Sequence, residues 1–307
     1  MERIYEIKHG DYTAKINLSR GANCVSLRNK KYNAVILREP DYDKGLDNPY
    51  LYGMPILYPA NRISGGRFEF EKREYIYPIN EPNTNCHIHG ELHKTEFADI
   101  DKGDNFVVCE YKSNGNYLDF PHNFRIVITY TLSDSGLCQL TEIENLSNKN
   151  MPNFIGYHTT FNLPFAKDTK KEDIAVLVNA DEEIERNMKV YLPTGKILPN
   201  DNITEKINSG TFNPFEMSLS RHYKVGNERN IEIKDLSKNI KVVYENDEKF
   251  NFRLIYNGNA KEYICIEPMN CMANCQNSPF DRDYAGFDYI EPNKSKKYVS
   301  NIRIEEF

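Results

Sequence analysis

The chain has 307 residues, with 39 Lys and Arg against 45 Asp and Glu, a net charge of −6, and 21 Tyr and 16 Phe but no Trp. The basic residues are scattered rather than gathered into a stripe, which excludes the electrostatic footprint of nucleic-acid or anionic-membrane binding and leaves a small molecule as the expected partner. The longest apolar runs, such as Ile174–Val178, fall far short of the roughly 20 residues of a membrane span.

The opening Met1-Glu2-Arg3-Ile4-Tyr5-Glu6-Ile7 holds no apolar stretch resembling a signal peptide. Seven cysteines, at 24, 86, 109, 138, 265, 271 and 275, form no CxxC pair. Their odd number and wide scatter predict free thiols in a reducing compartment, so the expected location is cytoplasmic. A chain of this length can bury a large core without disulfides or metals. One antiparallel all-β domain over residues 1–307 is expected.

Short alternating segments separated by turn residues dominate. Residues 12–18, 24–27 and 34–37 predict three early strands. Phe68 and Phe70 alternate with charged residues, a polar turn at Glu71-Lys72-Arg73-Glu74 follows, and Tyr75 and Tyr77 resume the alternation, which is a hairpin signature. Asp101-Lys102-Gly103-Asp104 divides a second hairpin, and Ser133-Asp134-Ser135-Gly136 a third. Strands are also predicted at 231–233, 240–244, 250–256, 263–266 and 298–304. No segment shows a helical period over three turns; residues 180–188 come nearest. The pattern predicts a sandwich of two large sheets.

Three histidines lie in Cys86-His87-Ile88-His89-Gly90-Glu91-Leu92-His93. In an extended segment His87 and His89 face the same way, which suits metal ligation, acid–base work or a structural role near a turn. A metal site of the cupin kind needs a Glu where His93 and Lys94 stand; Glu91 comes too early and Glu96 too late. No metal or other cofactor is therefore expected. His158, in Gly156-Tyr157-His158-Thr159-Thr160-Phe161-Asn162, taken alone reads first as a satisfied interior histidine, with a reactive one as the alternative. Tyr263, Cys265 and Glu267 share one face of a strand that Pro268 is expected to end. A carboxylate finishing an apolar strand is costly to bury unpaired, so Glu267 either meets a cation or does chemistry.

Four blocks in order resemble the aldose 1-epimerase (galactose mutarotase-like) family. They are Asn61-Arg62-Ile63 with Gly66, Phe68, Tyr75 and His87-Ile88-His89-Gly90; Gly156-Tyr157-His158 through Leu163; Leu192-Pro193-Thr194-Gly195, similar to a loop of that family; and Cys265-Ile266-Glu267-Pro268 with Asn274 and Asn277. The resemblance implies a β-supersandwich with an open cleft on a concave sheet, and a monosaccharide substrate. It also implies roles: Glu267 as general base at the anomeric hydroxyl, His158 as general acid at the ring oxygen, His89 as a second active-site histidine, and Arg62, with Asn61 and His87 of the same block, as sugar contacts. Two departures stand out. Gly90 is followed by Glu91 rather than a second glycine, and Leu219-Ser220-Arg221-His222-Tyr223 lacks the aspartate that many members place there. A hexose-6-phosphate 1-epimerase is the neighbouring reading, with Arg67, Lys94 and Arg221 as its conceivable phosphate cations. A sugar-binding protein without catalysis is a third.

Overall fold

The computed structural model describes residues 2–43, 45–46 and 48–307. Two eight-stranded antiparallel sheets form its body. The first runs, in spatial order, Ala98–Lys102, Phe106–Lys112, Phe124–Ser133, Gly136–Asn145, Ser295–Glu306, Ile240–Asn246, Ile231–Asp235 and Ile174–Val178. Its longest hairpin shows why the sequence folds this way: Phe124, Ile126, Ile128, Tyr130 and Leu132 are buried while the residues between them are part exposed, one face to the core and one to water. A four-stranded sheet built on Ile4–His9, Tyr12–Asn17 and Asn23–Asn29, closed by Ala34–Val35, packs alongside.

The second large sheet carries the order Leu192–Leu198, Glu182–Asn187, Ser220–Lys224, Phe252–Tyr256, Tyr263–Met269, Gly156–Tyr157 and Ile56–Leu57, with Thr160–Asn162 also paired to Tyr263–Met269. Its inner face meets the first sheet through Tyr157 Oη on Thr141 Oγ1 (2.7 Å), Thr159 Oγ1 on Tyr244 Oη (2.8 Å) and the Phe161–Tyr244 ring pair. Tyr263–Met269 is buried along its whole length. Ile264 and Ile266 join the main core, whereas Tyr263 and Cys265 pack with Leu51 on the opposite face. That opposite face also carries Glu267.

The structure corrects three expectations. Residues 180–188 form no helix: Glu182–Asn187 is a strand flanked by two partners. The single α-helix among the described residues is Asn202–Ser209, too short to show three turns of periodicity. It is fixed instead by its ends, with Asp201 accepting from the Ile203 and Thr204 amides and Gly210 in the left-handed region. Pro268 does not end its strand, because Arg253 pairs with Pro268 and Phe252 with Met269. Ile266 donates to Thr159, so the missing Pro268 donor would face the same neighbour; there the backbone amide of His158 has left the ladder to bond Pro55. The Leu192-Pro193-Thr194-Gly195 block is an edge strand rather than a loop. Among the described residues no helix is long and apolar enough to cross a membrane, and all seven cysteines are free.

Candidate active site

A cleft of about 640 Å³ lies over the second large sheet, and Asn61, Arg62, His89, His158, Arg186 and Glu267 line it together with Tyr50 and Tyr191. Glu267 reaches it from the floor. Its strand is pinned on one side by Phe252–Tyr256, with Leu254 directly opposite Glu267, and on the other by Thr160–Asn162. The carboxyl is 1% exposed, and its Oε1 lies 3.2 Å from His158 Nε2.

His158 stands in the gap between Gly156–Tyr157 and Thr160–Asn162, where the interrupted ladder points its ring into the cleft. His89 arrives by a different device. Its backbone is left-handed (φ 62°), and so is that of Gly90 (φ 64°). A Cβ on Gly90 would sit 1.9 Å from Tyr58 O, so only glycine allows the turn that aims His89 inward. The His89 ring meets the His158 ring edge-on, with centroids 5.5 Å apart.

Tyr50, which no sequence pattern flagged, ties the histidines together. Its ring packs on His89 at 4.9 Å, His93 at 4.6 Å and His158 at 6.1 Å, and its hydroxyl donates to Gly90 O. Arg62 is held by Glu81 through two 2.7 Å hydrogen bonds and covers the Tyr191 ring. Asn61 is buried behind it, with its Oδ1 accepting from the Arg62 amide. Asn274, from the fourth sequence block, donates its amide to Arg62 O and accepts from the Ser64 amide, so it shapes the Arg62 segment rather than lining the cleft.

His87 is the sequence-predicted site residue that the fold does not bring in. The left-handed turn at His89 breaks the alternation, so the two histidines part. His87 is fully buried against Tyr77, with Nδ1 at 2.8 Å from Pro78 O. The three conceivable phosphate cations also lie outside the cleft lining: Arg67 faces Glu74, Lys94 pairs with Glu91, and Arg221 is shared between Glu183 and Asp201.

A second cation lines the cleft besides Arg62: Arg186. Its strand is the stretch whose pattern comes nearest to a helical period, which hides the facing of Arg186 in the sequence. Ser220, at the position range where the family's aspartate is missing, accepts from Arg186 Nη2 through its carbonyl (2.6 Å) and its Oγ (3.1 Å).

Burial governs the electrostatics. It raises the Glu267 carboxyl to about 8, against the pull of Arg186 and Arg62. It lowers His158 to about 4 and drives His89 well below its ordinary value, with His158 adding repulsion. At neutral pH these shifts leave one proton on the two groups together and favour the carboxyl over the imidazole as its seat. A proton on the carboxyl and a proton on the imidazole are tautomers with the same total, linked by the 3.2 Å contact. The donor atoms of His89, His158 and Glu267 lie within 4.8 Å of one another, so the trio is also of a type that could hold a divalent cation.

The family described as aldose 1-epimerase matches residues 3–305. The structure superposes on a galactose mutarotase-like protein from Clostridium acetobutylicum with a TM-score of 0.92, 28% identity, and coverage of 100% of this chain and 98% of the other. Galactose mutarotase from Rattus norvegicus is 27% identical over 57% of this chain and 50% of its own length. The plasmid-borne protein LacX of Lactococcus lactis is 33% identical over 29% of this chain and 30% of its own. The matches thus span half or less of these two relatives. The family match runs nearly end to end: the chain belongs to the aldose 1-epimerase family, a family of isomerases.

Proposed function

We propose that the chain interconverts the α and β anomers of a monosaccharide with a free anomeric hydroxyl, by general acid–base catalysis through the open-chain aldehyde. The observation that carries this reading is the 3.2 Å approach of His158 Nε2 to Glu267 Oε1 at the floor of the cleft. The anomeric oxygen O1 and the ring oxygen O5 are bonded to the same carbon, so the base and acid that serve them must converge on a small volume. Glu267 as carboxylate takes the proton from O1. The C1–O5 bond breaks with its electron pair passing to O5, which accepts the proton from His158, and C1 becomes a carbonyl. Rotation about C1–C2 and the reverse steps close the other anomer. The pair ends with the number of protons it began with, so turnover needs no exchange with solvent.

The remaining groups bind. His89, kept neutral by burial, hydrogen-bonds oxygen near the reacting carbon, and Arg62, pre-set by Glu81, donates to sugar hydroxyls. Each proton transfer contributes roughly 10²–10⁴-fold. Exchange NMR on a panel of hexoses and pentoses, with and without a chelator, tests the reading. Faster anomeric exchange on at least one sugar, insensitive to the chelator, is expected. Activity lost to the chelator and restored by a divalent cation would move the His89–His158–Glu267 trio to a metal mechanism.

A further inference from the structure

Arg186 is 8% exposed and lines the cleft, yet among the described residues it enters no ion pair. The nearby carboxylates are engaged elsewhere: Glu183 with Arg221, Glu81 with Arg62, and Glu267 with His158. Its contact partners are neutral, the Ser220 carbonyl and hydroxyl on Nη2 and the Tyr191 ring at 5.9 Å, while the Glu267 and Glu183 carboxyls act on it only at longer range. Burial lowers its pKa only to about 10, so it stays a cation at neutral pH. A buried charge with no counter-ion in contact is costly to keep. A fold that keeps one at the lining of a cleft leaves it for a ligand to neutralise.

Position and charge define that ligand. Ser220, Tyr256 and Cys265 form one cross-strand row over three neighbouring strands, and Glu267 lies two residues beyond Cys265 on the same face. The Arg186 strand is the next one past Ser220. At roughly 4.8 Å per strand, the Arg186 and Glu267 strands are about 14 Å apart. The guanidinium, drawn one strand inward by its bonds to Ser220, lies nearer to Glu267 than the strands themselves do and within its electrostatic reach, beside the substituents that a sugar seated on Glu267 and His158 carries on its other carbons. Arg62, the other cleft arginine, is already neutralised by its bidentate pair with Glu81. One unpaired guanidinium matches one singly charged planar anion. A phosphate, at about −1.5 to −2 near neutral pH, would want a second free cation.

We infer that the substrate is an acidic sugar, a uronic acid whose carboxylate, borne on a carbon other than the anomeric one, is received by Arg186. This deepens the proposed epimerase reading and rests on it for turnover, but the carboxylate subsite is separately measurable as binding. The test compares glucose and galactose with glucuronate and galacturonate and with the two 6-phosphates, on the wild type, Arg186→Gln and Arg186→Lys, each checked for fold by circular dichroism. Anomeric exchange and direct binding by titration are read on the same preparations.

A uronate is expected to exceed its parent hexose in kcat/KM by at least tenfold, with that ratio falling at least tenfold in Arg186→Gln and partly restored in Arg186→Lys. Equal use of uronate and hexose by the wild type, or a preference that survives in Arg186→Gln, overturns the inference. So does a preference for the 6-phosphates over the uronates. If no sugar is epimerised but a uronate binds the wild type and not Arg186→Gln, the epimerase reading falls and the carboxylate site stands. If no uronate binds while neutral sugars are epimerised, the inference alone falls.

Discussion

His158 Nε2 and Glu267 Oε1 lie 3.2 Å apart with both residues nearly excluded from water, at 6% and 1% exposure. His158 sits between two short strands that meet the Glu267 strand only through the tertiary fold, with Gly156 opposite Met269 and Thr160 opposite Cys265. Burial pushes both side chains toward their neutral forms, so the two differ from the ion pair by the transfer of one proton rather than by its gain or loss.

That proton count sets the pH dependence. On the proposed mechanism the working pair holds one proton, so turnover should fall when a second is taken up, near the lowered histidine value of about 4, and when the last is lost, near the raised carboxyl value of about 8. A bell-shaped kcat/KM profile with limbs near those values is expected, each limb belonging to the pair rather than to one residue. A profile flat from pH 4 to pH 9 would refute the shared-proton description.

Glu267→Gln preserves size and hydrogen bonding but cannot take the proton from O1. A loss of at least about 10² in kcat with little change in KM is expected. Exchange NMR at saturating sugar measures it. Wild-type kcat in this variant would place the base elsewhere.

His158→Asn and His87→Asn separate chemistry from architecture. The first is expected to lose most of its kcat while its melting temperature stays close to the wild type. The second breaks the His87–Pro78 contact in the core, so about 1–3 kcal/mol of stability should go with turnover per folded molecule retained. Thermal melts and kinetics on the same preparations decide it, and the opposite pattern would exchange the two roles.

Glu81→Gln removes the charge that holds the Arg62 fork in place. If Arg62 binds hydroxyls in a pre-set geometry, KM should rise several-fold with a smaller effect on kcat. An unchanged KM would mean that Arg62 does not touch the sugar.

Much of this molecule is readable locally. The hairpins at Phe70–Arg73 and Ser133–Gly136 form where alternating residues flank polar turns, and Glu71 and Lys72 both adopt the positive φ of a two-residue hairpin turn. Glu267 was visible as a carboxylate on an otherwise apolar strand, and His158 and His89 through the blocks that resemble the family. Those signals lie within one element, where the two-residue period fixes which side chains share a face.

What the local pattern cannot state is which faces meet. Glu182–Asn187 is charged enough to pass for a surface helix, and only pairing with Leu192–Leu198 and Ser220–Lys224 turns Arg186 into a buried cation at the cleft. Tyr50 reaches three histidines from a short 3-10 turn. One left-handed residue, His89, sends its own ring to the cleft and leaves His87 in the core. The sequence by itself determined the chemical types at the floor of the site. The tertiary structure decided which charge those groups face, because long-range strand pairing, not local periodicity, sets what lies opposite a side chain.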